Sequence, residues 1–120
     1  MSELDAISNV VTPPYYAVIF TSKRSDAGSE AYGPTAARMV ELARGRDGFL
    51  GVESTRGADG LGITVSYWRD VESIRGWREQ SEHQQAQAKG RDEWYTKYVV
   101  RICRVEHAYA FGLQAESDAG

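Results

Sequence analysis

Two runs rich in β-branched and aromatic residues, FLGVESTR (Phe49 to Arg56) and LGITVSYW (Leu61 to Trp68), are separated only by Gly57-Ala58-Asp59-Gly60. A four-residue link whose glycines accept positive φ favours one arrangement of such runs, an antiparallel hairpin. The hairpin sits at the centre of the chain, and the remaining elements must be placed around it. YYAVIFTSK (Tyr15 to Lys23) reads as a strand before it, and YVVRICRVEHAYAF (Tyr98 to Phe111) as a long last strand after it. Each is separated from the hairpin by a stretch long enough for a helical crossover.

The first crossover opens with turn chemistry, RSDAGSEAYG, after which Pro34 suits the first turn of a helix because its missing N–H has no partner there. Met39, Val40, Leu42 and Ala43 continue the helix at i, i+3 and i+4 spacing. Arg44 and Arg46 complement its C-terminal dipole, and Gly45 or Gly48 can stop it. The second crossover, RDVESIRGWRE, starts a helix with Asp70 as N-cap and Ile74 and Trp77 on one face.

The order βαββαβ predicts an α+β, ferredoxin-like domain: a four-stranded antiparallel sheet with both helices on one face. Yet the strands are apolar at both parities. Ile63, Val65 and Tyr67 alternate with Gly62, Thr64, Ser66 and Trp68, while Val100 and Ile102 oppose Val99, Cys103, Val105, Tyr109 and Phe111. A sheet with two apolar faces and helices on only one needs a further partner, and a second copy about a two-fold axis is the simplest. Fourteen residues from Tyr98 to Phe111 would span roughly 45 Å at about 3.3 Å each, enough to reach past their own subunit. A homodimer through the sheet face and the last strand is therefore expected. Residues 1–14 read as a flexible N-terminal arm, 15–111 as the domain and 112–120 as a disordered tail.

Composition removes several function classes. A 120-residue chain that is 42% hydrophobic supports one small core, which oligomerisation would help. Net charge is −3 with basic residues scattered among acids, so nucleic acid is not an expected partner. The opening MSELDAISNVVTPPYY lacks a cationic region followed by an apolar core, so no signal peptide is expected, and no run is long enough to span a membrane. Cys103 is the only cysteine, which makes a cytoplasmic setting the default. His83 and His107 are the only histidines and no acid stands at a diagnostic ligand spacing, so neither metal nor other cofactor is expected.

WREQSEHQQAQAKGRDEWY (Trp77 to Tyr95) poses the functional question, because it sets tryptophans and a histidine on a helix otherwise full of glutamines. On one straight helix His83 would lie roughly 180° from Ile74, in solvent. Ser81-x-x-Gln84, however, fits a capping box, and a break near Ser81 resets the rotation. His83, Ala86 and Gly90 then share a face, whose small residues leave either a close helix–sheet contact or an open space. In the bland alternative His83 is a passive surface residue and the tryptophans are ordinary core.

VSYWRDVESIRGW, EHQQAQAKGRDEWY and RICRVEHAYAF, taken with the order of elements, resemble the antibiotic biosynthesis monooxygenase (ABM) domain family of dimeric α/β-barrel proteins. The likeness covers about Tyr15 to Phe111 and is nearest to small bacterial stand-alone members. It implies the dimeric barrel and a pocket between the second helix and the sheet. Haem-degrading relatives use a tryptophan on that helix, which Trp77 matches, but their iron-ligating histidine falls on Gln87 and their first-strand asparagine has no counterpart here. The resemblance therefore points to a monooxygenase without metal or flavin, acting on a small aromatic quinol- or anthrone-like substrate. His83 would serve as the base, and Tyr67, Trp68, Trp77 and Trp94 would form the aromatic walls. The alternatives are a haem-binding or haem-degrading protein and a non-catalytic dimeric module that binds a small molecule.

Overall fold

A computed structural model of the chain describes residues 7–8, 10–26 and 29–113. Its elements run β1 (Tyr15–Arg24), α1 (Ser29–Arg44), β2 (Phe49–Arg56), β3 (Leu61–Trp68), α2 (Val71–Glu79), α3 (Ser81–Lys89), a π-helical turn (Gly90–Trp94) and β4 (Tyr95–Val105). The strands form one antiparallel sheet in the order β2-β3-β1-β4, the ferredoxin-like arrangement that the βαββαβ order predicts. The central hairpin forms as the glycines require. Gly60 takes φ +91°, its N–H bonds to the Gly57 carbonyl at 3.0 Å, and the Asp59 carboxylate accepts from the Leu61 N–H at 3.0 Å.

Strand register divides the side chains between two faces. Directly opposed residues form rows across the helix-covered face: Arg56, Gly62, Ser22 and Tyr98; then Ser54, Thr64, Phe20 and Val100; then Val52, Ser66, Val18 and Ile102. The core proper lies beyond the third row, where Trp68, fully buried, meets Ala43 and Ile74, with Phe49 and Trp77 packed against them. The opposite face carries Ile19, Val65 and Arg101 in one row and Ala17, Tyr67 and Cys103 in the next. Ile63 and Val99 on this outer face are 42% and 47% exposed in the single chain.

Three boundaries differ from the sequence reading. α1 begins at Ser29, so Pro34 lies inside it rather than opening it. At the sixth helical position, past the first turn, a proline removes one helical hydrogen bond rather than filling a place where no bond forms. β4 starts at Tyr95 and ends at Val105, and it pairs with β1 along that whole length. It therefore does not overhang its own sheet. The segment after it carries Tyr109 and Phe111 at 89% and 99% exposure, without regular structure. The break between α2 and α3 does occur near Ser81, but the cap is Gln80. Gln80 is extended (φ −64°, ψ 129°) and its side-chain oxygen accepts the His83 backbone N–H at 2.7 Å.

Asp70 caps α2 as expected, its carboxylate accepting from the Ser73 N–H at 2.8 Å and from the Ser73 hydroxyl at 2.7 Å. The readings of a flexible arm and a disordered tail fall in part on residues 1–6, 9 and 114–120, outside the described residues. Among the described residues no helix is long and apolar enough to cross a membrane.

Because Ile74 is almost completely buried against Trp68 and Ala43, Ile74→Ala is expected to cost about 2–5 kcal/mol. Urea denaturation at fixed protein concentration checks this, with a lowered midpoint and an unchanged slope.

Candidate functional site

Helices α1, α2 and α3 do not close down on the whole of the sheet. Between them and the three rows lies a cleft of about 890 Å³, within the range of small-molecule sites. It stays open because α3 offers it Ala86 and Gln87 where a core helix would place Leu or Ile. The first row and Trp68 mark its two ends, six residues apart on β3, or roughly 20 Å at about 3.4 Å per residue.

At the Trp68 end a ladder of rings leads from the sheet to α3. Trp68 donates its indole N–H to the Ser66 hydroxyl at 2.9 Å. Trp77 stacks on Trp68 at 6.1 Å between centroids, and the His83 ring stacks on Trp77 at 4.4 Å with 21° between planes. The His83 Nδ1 lies 3.2 Å from the Trp77 carbonyl. A carbonyl only accepts, so Nδ1 carries the proton and Nε2 keeps its lone pair. Burial pulls the His83 pKa below its ordinary 6.5; the Trp77 carbonyl opposes this and the nearby Arg78 cation adds to it. His83 is thus a neutral imidazole at neutral pH, held in one tautomer, and it lines the cleft.

The other end is built on Arg56. Gly62 stands beside it on β3, and a Cβ there would fall 2.6 Å from the Arg56 Cζ. The missing side chain lets the guanidinium cross β3 and donate from Nη2 to the Ser22 hydroxyl on β1 at 2.8 Å. It also donates to the Gly60 carbonyl and to the Tyr32 hydroxyl at 3.3 Å. Tyr95 donates to the Tyr32 hydroxyl at 3.2 Å, and burial pushes its phenol pKa up. Tyr95 can pack here because Gly90 has no side chain, a Cβ at that position meeting the ring at 2.9 Å. Trp94 is 4% exposed and sits edge-on to Tyr32. Its indole N–H has no hydrogen-bond partner, the one such buried side-chain group among the described residues.

Of the residues singled out in the sequence, Trp68, Trp77, His83 and Trp94 all line this cleft, though Trp94 lies on the π-helical turn at the arginine end. Tyr67 does not. Strand alternation puts it on the outer face, where it donates to the Glu53 carboxylate and sits edge-on to Tyr15 at 6.0 Å. Burial first, and Glu53 next, push the Tyr67 phenol pKa up. Sequence reasoning missed Tyr32, Arg56, Arg78, Arg91 and Tyr95. Arg56 carried a legible signal, since it shares the strand parity of Val52 and Ser54. Tyr32 carried none, because its place depends on where α1 starts. Among the described residues no group of three His, Cys, Asp or Glu is placed to hold a metal ion.

Comparison with known proteins identifies the family and the fold. Residues 15–89 match the family model described as "Antibiotic biosynthesis monooxygenase". The chain is 52% identical over 108 residues to the uncharacterized protein YqjZ of Bacillus subtilis, covering 90% of this chain and 94% of that one. It is 31% identical over 94 residues to a protein of Pyricularia oryzae named jasmonate monooxygenase ABM, covering 75% of this chain but only 43% of that protein. The fold is shared with SnoaB of Streptomyces nogalater, described as a cofactor-independent oxygenase: TM-score 0.68 at 14% identity, over 78% of this chain and 95% of that one.

A neutral, buried histidine has a consequence for stability. The unfolded chain takes up the proton near the ordinary pKa of 6.5, whereas the folded chain does so only at lower pH. Stability should fall as pH drops through about 6.5 and level off once folded His83 also protonates. His83→Gln is expected to flatten this slope, as read from urea midpoints across the range. Nitrogen NMR shifts should report the Nδ1–H tautomer at neutral pH.

Proposed function

The chain belongs to the antibiotic biosynthesis monooxygenase family, and on that premise we propose that it is a monooxygenase that oxidises a small phenolic aromatic without a metal or flavin. The observation that supports this most is His83, a cleft-lining imidazole fixed in one tautomer and left with a free lone pair on Nε2. The phenolic or enolic proton of the substrate passes to Nε2. The resulting anion is electron-rich enough to give one electron to O₂, and the two radicals then combine to form the carbon–oxygen bond. For an anthrone-like ring the balance is one CH₂ and one O₂ giving one C=O and one H₂O. His83 returns the proton as water leaves.

The surroundings of His83 favour that sequence. Trp77, stacked between Trp68 and the His83 ring, holds the imidazole against the cleft. Burial keeps His83 unprotonated, the state that a base requires, and the low-polarity cleft strengthens its hydrogen bond to an acidic hydroxyl. The closest competing reading is a dimeric module that binds such a molecule without turning it over. Oxygen-electrode measurements on the purified protein with a dihydroxynaphthalene or an anthrone separate the two. The oxygenase reading expects O₂ uptake that survives dialysis against EDTA and falls by about 10²-fold or more in His83→Ala. The rate should rise with pH through a pKa below 6.5, the direction in which burial moves His83. Trp77→Phe should mainly raise KM. Uptake that is equal with and without His83 would remove it as the base.

We propose further that the working form is a homodimer, the outer sheet face of one copy packed on that of the next. Ile63 and Val99 leave that face apolar and open, and Tyr109 and Phe111 extend from β4 with no intrachain cover. An interface on the order of 2,000 Å² is expected. Light scattering at micromolar concentration should give twice the 13.3 kDa of one chain, and a monomer mass would sink the proposal.

A further inference from the structure

The cleft has a polarity that the proposed chemistry at His83 does not use. Seventeen acids and fourteen bases give this chain a net negative charge. Yet among the described residues no Asp or Glu lines the cleft, whereas Arg56, Arg78 and Arg91 do. Unlike Arg38 or Arg69, none of these three pairs with a carboxylate among the described residues. Three cations without a carboxylate partner among the described residues set a positive potential at the cleft, strongest at the half-buried Arg56.

Arg56 is the one held in place. Its partners are two backbone carbonyls and the hydroxyls of Ser22 and Tyr32, all neutral acceptors, with Ser22 only 2% exposed. These bonds fix the guanidinium over Gly62 but leave its charge without a counterion. Arg24 adds a second cation at this end, 4.0 Å from the Tyr32 ring centroid and bonded to the Trp94 carbonyl at 2.8 Å. Trp94, edge-on to Tyr32, closes this end with its indole N–H buried and unpartnered among the described residues. A fixed cation with a second cation behind it describes an anion receptor. It lies at the end of the cleft opposite His83.

We propose that the ligand of this cleft is an aromatic carboxylate, its acid group seated against Arg56 and its rings running along the cleft in the direction of His83. The proposal rests on the reading of the cleft as the substrate site and narrows its substrate class from neutral phenols to hydroxylated aromatic acids. Arg78 and Arg91, both exposed, act on the approach of the anion rather than on its seating.

The test uses a rigid probe, 6-hydroxy-2-naphthoate, which carries its hydroxyl and carboxylate at opposite ends, against 6-hydroxy-2-naphthamide, which has the same body without the charge. Titration calorimetry on the intact protein at neutral pH should show the acid binding about tenfold tighter or more, as a charge-assisted hydrogen bond implies. Added salt should weaken the acid and leave the amide unchanged. In Arg56→Gln the preference should vanish with amide affinity unchanged, and Arg56→Lys should retain part of it. Acid and amide binding equally well to the wild-type protein would overturn the proposal and leave the pocket reading intact. So would a preference that survives Arg56→Gln. If neither probe binds, both readings fall. The wild-type comparison decides the matter even if the Arg56 variants fail to fold.

Discussion

The burial of Trp68 is the contact from which the rest of the site hangs. It is the last residue of β3, its indole N–H is satisfied by Ser66, and it carries Ala43, Ile74 and Trp77 on its surface. Trp77 in turn fixes His83 twice, by ring stacking and through its carbonyl. The same carbonyl also accepts the Gln80 N–H at 3.2 Å, so the end of α2 and the tautomer of His83 depend on one backbone oxygen. Loosening Trp68 would therefore act on the histidine through two intervening contacts, without touching a ligand.

An open cleft in so small a domain is costly, because surface that could have been buried is not. The helix break at Gln80 explains how it is kept. A continuous helix would carry His83 away from the sheet, whereas the extended Gln80 turns the chain and lets α3 start afresh over the cleft. α3 then presents small and amide side chains, and its tie to α1 is the exposed Arg38–Glu82 pair at 3.1 Å, a contact of modest strength. The π-helical turn after it places Trp94 and Tyr95 at the far end. Turns of that kind are uncommon and recur at functional sites.

Much of this was legible in residue order. The hairpin follows from Gly57 to Gly60, the Asp70 cap from one side chain, and the reset near Ser81 from a capping pattern, although Gln80 does the capping. A long, flexible amide folding back on the third N–H is not what a Ser-x-x-Gln pattern announces. Strand alternation decides the place of Tyr67: Tyr67 and Trp68 are neighbours on β3 and cannot face the same side. The extent of β4 was misjudged because apolar alternation continues to Phe111, while hydrogen bonding stops where β1 has no more partners to offer. The arginine end was legible only in the parity that Arg56 shares with Val52 and Ser54. It is assembled from β1, α1, β2 and the π-helical turn, and no local spacing records that Arg56 crosses Gly62 to reach Ser22.

The two faces of the sheet divide the chemistry between them. On the outer face Glu53 accepts from Tyr67 and from the Ser8 N–H at 3.0 Å, so its carboxylate is satisfied within the chain. The remainder of that face is mainly aliphatic, which suits contact with a second copy. On the inner face the rows grade from Arg56 and Ser22 through Thr64 and Ser66 to Trp68, from cationic through hydroxyl-bearing to aromatic. A neutral, symmetric ring would gain from only one end of that gradient. A molecule with an acid group at one end and an ionisable ring at the other is complementary along its whole length. Such a fit would fix which ring carbon faces O₂, since the carboxylate anchors the ring against rotation in the cleft.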